Sequence, residues 1–223
     1  MPSGKPIPPI LPADTSGIAV AAEQIRAGGL IVYPTETVYG LGVDPFSTRG
    51  LNRIFTVKER EAHKALILLI RGPENLNALT ADVPQTAQDL MDAFWPGPLT
   101  LVFQARPGLP ERLMGGRSTI ALRVSDAPAV QALLDRTGGP ITSTSANRSG
   151  DPPARSASEA ASALGDRVDL ILDGGPAADA RPSTLVDVSM EKIKILREGQ
   201  IASEAVYRVL GSTAEQDPLR TIG

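Results

Sequence analysis

The sequence predicts a single α/β domain, on three observations. Apolar runs of strand length, such as Ala65 to Ile70 (ALILLI), interleave with segments of helical period along most of the chain. No linker-like stretch, internal repeat or low-complexity segment divides the middle. With 223 residues, 42% of them hydrophobic and 21% charged, the chain can bury a substantial core.

Taken in order, residues 1–15 carry five prolines and little periodicity, which predicts an extended arm ahead of a domain over residues 16–210. Ile18 to Ala27 predicts a helix with Ile18, Ala21, Ala22 and Ile25 on one face, stopped by Gly28-Gly29. Gly29 to Val32 reads as a short buried strand that runs into YPTETVYGLG, Tyr33 to Gly42. A strand ending in small hydroxyl residues and glycines can present hydroxyls and free backbone N–H groups, and small anions often bind there in α/β proteins. A plain glycine turn explains the same residues.

Thr48 to Lys58 is helical by the spacing of Leu51, Ile54 and Phe55, which leaves Lys58 and Arg60 at or just past its C-terminus, where cations suit the macrodipole. ALILLI then suits a central strand buried on both faces. Two helical segments, Pro73 to Leu79 and Thr86 to Phe94, precede WPGPLTLVF, a proline-glycine turn into a strand in which Trp95 serves packing. Ser118 to Arg123 alternates as a strand, Ala127 to Arg136 is an amphipathic helix, and Pro140 to Ser145 is a strand ending in hydroxyls. A helix over Ser158 to Leu164 and strands at Val168 to Leu172, Ser183 to Val188 and Ile193 to Arg197 follow. A last helix, Ser203 to Leu210, precedes a frayed tail over residues 211–223.

Composition removes several function classes. A net charge of −3 and a pI near 5.3 argue against a general electrostatic grip on nucleic acid, although a local basic groove stays open. There is no cysteine, which excludes disulfides and cysteine-based chemistry, and the lone His63 makes a histidine metal site or Ser-His pair a poor fit. No apolar run is long enough to span a membrane, so the expected compartment is the cytoplasm. Neither GxGxxG nor GxxxxGK[ST] occurs.

What remains are clusters of cations and hydroxyls beside strand ends. They are Lys58-Glu59-Arg60 with Lys64, then Ser143-Thr144-Ser145-Ala146-Asn147, and Ser183-Thr184 with Arg197. Arg123 ends a buried strand, which is costly unless an anion or carboxylate satisfies it. Five cations beside hydroxyl-rich loops in a slightly acidic protein suggest a polyanion pocket, such as one for nucleotide phosphates. With no activated nucleophile in view, catalysis by positioning and charge neutralisation is favoured over a covalent intermediate.

Together these phrases resemble the YrdC/Sua5 family of threonylcarbamoyl-AMP synthases. In family order they are YPTETVYGLG, KER with KALIL, WPGPLTLVF, STIALRVSDAP, STSANRSG, PSTLVD and LREGQI, spanning about Gly17 to Ile201. The resemblance, to the single-domain YrdC form, implies a twisted mixed sheet with flanking helices and a large concave, positively charged binding face. It also implies a reaction of L-threonine, bicarbonate and ATP, with Mg2+ accompanying the ATP, that yields threonylcarbamoyl-AMP and pyrophosphate. A separate transferase complex then passes the group to adenosine 37 of tRNA.

Residue by residue, the resemblance implies catalytic roles for Lys58, Arg60, Ser145 and Asn147, and contacts to L-threonine from Thr37, Arg123, Ser143 and Ser183. The ATP side would comprise Arg60, Lys64, Thr119, Ser145 and Arg197. One departure is Lys64-Ala65-Leu66 where many members have asparagine-proline-leucine, with Leu69 at a position that is histidine in those members; the short bacterial form resembles this chain in its lysine. Two other classes compete. One is an RNA-binding or ribosome-maturation module of the same fold, which the acidic pI and the low aromatic content of 4% disfavour, although a weak tRNA contact stays open. The other is a YciO-like paralogue with altered activity, which the intact K-x-R and S-x-N disfavour.

Overall fold

A computed structural model describes residues 8–59, 61, 63–177 and 181–211. The first seven residues of the expected arm, Arg60, and the expected frayed tail from residue 212 lie outside the described residues. The chain order is β1 (Ile10–Pro12), α1 (Thr15–Arg26), β2 (Ile31–Tyr33), β3 (Gly40–Gly42), α2 (Thr48–Lys58) and β4 (Ile67–Leu69). A 3-10 turn (Pro73–Asn75), α3 (Leu76–Leu79), α4 (Gln85–Phe94), β5 (Leu99–Gln104), α5 (Glu111–Met114), β6 (Thr119–Arg123) and α6 (Pro128–Thr137) follow. The rest comprises β7 (Ile141–Ser145), α7 (Ala157–Leu164), β8 (Leu170–Asp173), β9 (Thr184–Asp187), β10 (Lys194–Arg197) and α8 (Ser203–Val209).

Among the described residues ten strands form one mixed sheet in the order β1-β8-β2-β3-β7-β4-β6-β5-β9-β10. Residues of the expected arm thus contribute β1, a short edge strand parallel to β8. Helix α1 starts a turn earlier than its apolar face suggests, because Asp14 caps it by accepting from the amides of Ser16 and Gly17 at 2.9 Å each. Gly17 sits inside that helix for a steric reason: a Cβ there would lie 1.9 Å from the Pro12 carbonyl oxygen.

The strands are short, and their side chains alternate between two different environments. On one face Val32, Leu41, Leu68, Leu101, Phe103, Ile120, Leu122 and Val186 join a core closed by α2, α3, α4, α7 and α8. On the other, α1 and α6 pack Ile18, Ala21, Ala22, Ile25, Val130, Leu133 and Leu134 onto Ile31, Tyr33, Leu69, Ile141, Leu170 and Leu172. Each fully buried aliphatic side chain stabilises by roughly 1.5–3 kcal/mol. The two helices cover only part of that second face, and the uncovered part is where the cleft lies.

The YPTETVYGLG stretch departs from the turn reading. Gly40–Gly42 is a strand, antiparallel to both β2 and β7. Glycine is needed because the Tyr33 ring lies across it. A Cβ on Gly42 would meet the Thr142 carbonyl oxygen at 2.5 Å and Tyr33 Cε1 at 2.8 Å. Tyr33 is itself pinned by donating to that same carbonyl at 2.8 Å, and burial pushes its phenol well above the usual value.

Candidate active site

The uncovered half-face forms a cleft of about 690 Å³. Its floor follows from strand register: Ser143 pairs with Ile67, Ile67 with Ala121, Ala121 with Val102, and Val102 with Asp187, one row across five strands. Along β6, Thr119, Ala121 and Arg123 face the same way, placing the first and last roughly 13 Å apart at 3.3 Å per residue. The floor is small and apolar, and the polar groups stand at its ends and rim.

Arg123 is 4% exposed in its side chain. The carboxylate anticipated for it is Glu36, whose Oε1 stands 3.1 Å from Arg123 Nη1. Nη1 also donates to Thr37 Oγ1 at 3.4 Å, while Nε has no hydrogen-bond partner. The hydroxyls of Thr37 and Thr35 are 2.9 Å apart, and Thr35 donates to the Val38 carbonyl at 2.6 Å. This loop therefore reaches the cleft as an ordered hydroxyl wall. Ser143, buried, and Ser145 face the cleft from β7.

Lys58 and Asn147 are not lining residues of this cleft. Lys58 is 2% exposed. Its ammonium donates to the Ser145 carbonyl, to the Asn147 carbonyl at 2.8 Å and to Asn147 Oδ1 at 3.3 Å. The Asn147 amide donates onward to the carbonyls of Arg148 and Asp151 at 2.8 and 2.7 Å. Lys58, for which the resemblance implies a catalytic role, is thus a buried brace under the Ser145–Asn147 turn. Arg60 lies outside the described residues.

On the opposite wall Arg197 lies along Ser183, donating from Nη2 to its carbonyl at 2.9 Å and to its Oγ at 3.3 Å. Ser183 is fixed from the other side by Thr100, with their hydroxyl oxygens 2.8 Å apart. Burial, and then the charge of Arg123, pull Arg197 below the usual arginine value. Two cations that feel each other across a cleft mark a place where an anion is stabilised. Lys64, half-exposed and 3.3 Å from Glu61, and Thr119 complete the far end. His63 is exposed beside Glu61, away from the cleft lining.

Sequence reasoning passed over Arg117, Thr35, Tyr39 and Asp187, all of which line the cleft. Arg117 and Thr35 had a legible signal, since Arg117 alternates with Thr119 at the start of β6 and Thr35 alternates with Thr37. Among the described lining residues, Lys64, Arg117, Arg123 and Arg197 face a single carboxylate, Asp187. A locally cationic cleft in an acidic protein suits a polyanionic ligand.

A family model described as telomere recombination, covering Sua5, YciO and YrdC proteins, matches residues 23–199. Threonylcarbamoyl-AMP synthase of Marinobacter nauticus is 38% identical over 182 residues, 79% of this chain and 96% of that one. The crystal structure of P. abyssi Sua5 complexed with L-threonine superposes with a TM-score of 0.87 at 35% identity, over 92% of this chain and 61% of that one. This chain therefore spans about three-fifths of the P. abyssi protein. E. coli YciO superposes with a TM-score of 0.79 at 30% identity, over 89% of this chain and 98% of that one. Sequence and architecture agree, and the chain belongs to the Sua5/YciO/YrdC family.

Proposed function

We propose that this protein is an L-threonylcarbamoyladenylate synthase and a nucleotidyltransferase. It makes threonylcarbamoyl-AMP and pyrophosphate from L-threonine, bicarbonate and ATP, for N6-threonylcarbamoyladenosine at position 37 of tRNA. The observation that carries the reading is one cleft holding a hydroxyl-flanked arginine, Arg123 with Thr37 and Ser143, together with further cations, Arg197 on the opposite wall and Lys64 and Arg117 at the far end. An amino-acid carboxylate suits the first, and a triphosphate suits the second.

In the reaction an oxygen of threonine carbamate forms a bond to the α-phosphorus of ATP as the bond from that phosphorus to the pyrophosphate oxygen breaks. The carbamate carries two negative charges and approaches a third anionic group, so fixed cations on both sides lower the barrier. Arg123, backed by Thr37, would hold the carboxylate, with Ser143 and Ser183 beside it. Arg197, Lys64 and Thr119 would take the nucleotide side, joined by Arg60. Ser145 would meet the nucleotide on a turn held by Lys58 and Asn147.

Among the described residues no group of three or more His, Asp or Glu side chains stands together to hold a metal. Magnesium would arrive on the triphosphate, where it neutralises phosphate charge. The product would be consumed by a separate tRNA transferase complex. A crystal structure with L-threonine and a non-hydrolysable ATP analogue tests the assignment. The threonine carboxylate should lie within hydrogen-bond distance of Arg123 and the phosphates within reach of Arg197; the opposite arrangement would refute it.

A further inference from the structure

Glu36 is a carboxylate that the functional reading does not use. It is 13% exposed in its side chain and is held by three residues from two separate segments. Oε2 accepts from the Ser125 hydroxyl, Oε1 faces Arg123, and its backbone carbonyl accepts from Gln200 Nε2 at 3.3 Å. Ser125 is fully buried and is itself fixed, since its Oγ accepts from the Ala127 amide at 3.2 Å. Glu36 is not among the residues lining the cleft, so it addresses Arg123 from behind.

The pair is incompletely satisfied. Glu36 Oε1 and Arg123 Nε are both buried without a hydrogen-bond partner. Natural proteins rarely leave such atoms unpaired without a reason, and a ligand group at Arg123 is one. Burial, and next the charge of Glu36, raise the carboxyl of neighbouring Asp126 above its usual value.

We propose that Glu36 makes the Arg123 end of the cleft favour a zwitterionic amino acid over a plain anion, by offsetting part of the charge of Arg123 from behind. The inference rests on the amino-acid reading given above. With Glu36 in place, the charge that Arg123 presents to its end of the cleft is partly offset, although Arg197 still feels it. A bare carboxylate docking there is less fully compensated in a poorly solvated site, whereas a zwitterion adds no net charge. Glu36 is thus a positioning and specificity residue, not a catalytic one.

The test compares binding of L-threonine with that of 3-hydroxybutanoate, which is threonine without its amine, by calorimetry on the whole protein. Wild type should favour threonine, and in Glu36→Gln the affinity ratio should shrink at least about tenfold, chiefly through tighter 3-hydroxybutanoate binding. Ser125→Ala keeps the charge and removes only its tether, so its ratio should stay within about twofold of wild type. An unchanged ratio in Glu36→Gln overturns the inference alone. So does a collapse in Ser125→Ala, which would show that the ratio reports loop order, and this arm stands even if Glu36→Gln fails to fold. Wild type that binds no threonine overturns the amino-acid reading and the inference with it.

Discussion

Replacing Lys58 with methionine separates two roles that the sequence merges. If Lys58 braces the turn, its removal leaves the part-buried carbonyl of Ser145 and the buried carbonyl of Asn147 without the donor that now serves them. Each unsatisfied buried acceptor costs about 1–3 kcal/mol, and methionine retains the packing of the stem while removing a buried charge. The net loss should be about 3 kcal/mol, which for a domain of this size lowers Tm by roughly 6–12 °C. Turnover should fall as well, because Ser145 loses its fixed position. Thermal and urea unfolding, measured beside turnover, check this. A variant that melts within about 2 °C of wild type yet loses most activity would refute the reasoning. It would show that Lys58 acts on the ligand.

Gly42→Ala forces a methyl against the Thr142 carbonyl and the Tyr33 ring, and should cost about 1–3 kcal/mol in urea unfolding. Thr37→Ala removes the hydroxyl between Thr35 and Arg123, and should raise the threonine KM roughly fivefold while leaving that of ATP in place. For Asp169, burial raises the carboxyl, but hydrogen bonds from Arg53 and the Leu30 amide and the arginine charges outweigh it, so its pKa is lowered. A folded-state value below the unfolded one stabilises above the unfolded pKa of 3.8, and that contribution fades as pH falls through the folded value. Asp169→Asn should therefore lower stability at pH 7 and weaken the acid dependence of unfolding below about pH 4.

Local pattern carried much of the fold. Helix α2 runs over Thr48–Lys58 as its apolar spacing indicated, because Ser47 caps it and Leu51, Ile54 and Phe55 all meet the core. Pattern failed where tertiary contact decides. Gly-Leu-Gly has little strand propensity, and β3 exists because β2 and β7 flank it. The start of α1 was hidden by Gly17, which reads as a breaker but serves close packing on Pro12.

The site was legible as residue types, since Thr37, Thr119, Arg123, Ser143, Ser145, Ser183 and Arg197 do line one cleft. Which of them face a ligand was not. Lys58 turns inward because the Ser145–Asn147 turn needs a donor, and Arg123 finds its carboxylate in Glu36, far away in sequence. Neither pairing leaves a trace in local spacing.

The central claim is the chemistry of the cleft, and pyrophosphate release tests it most directly. The purified, folded protein with magnesium and ATP should release pyrophosphate only when L-threonine and bicarbonate are both present, and Arg123→Ala should lower that rate by about a hundredfold. Release that ignores threonine, or its absence from folded protein under these conditions, would contradict the account.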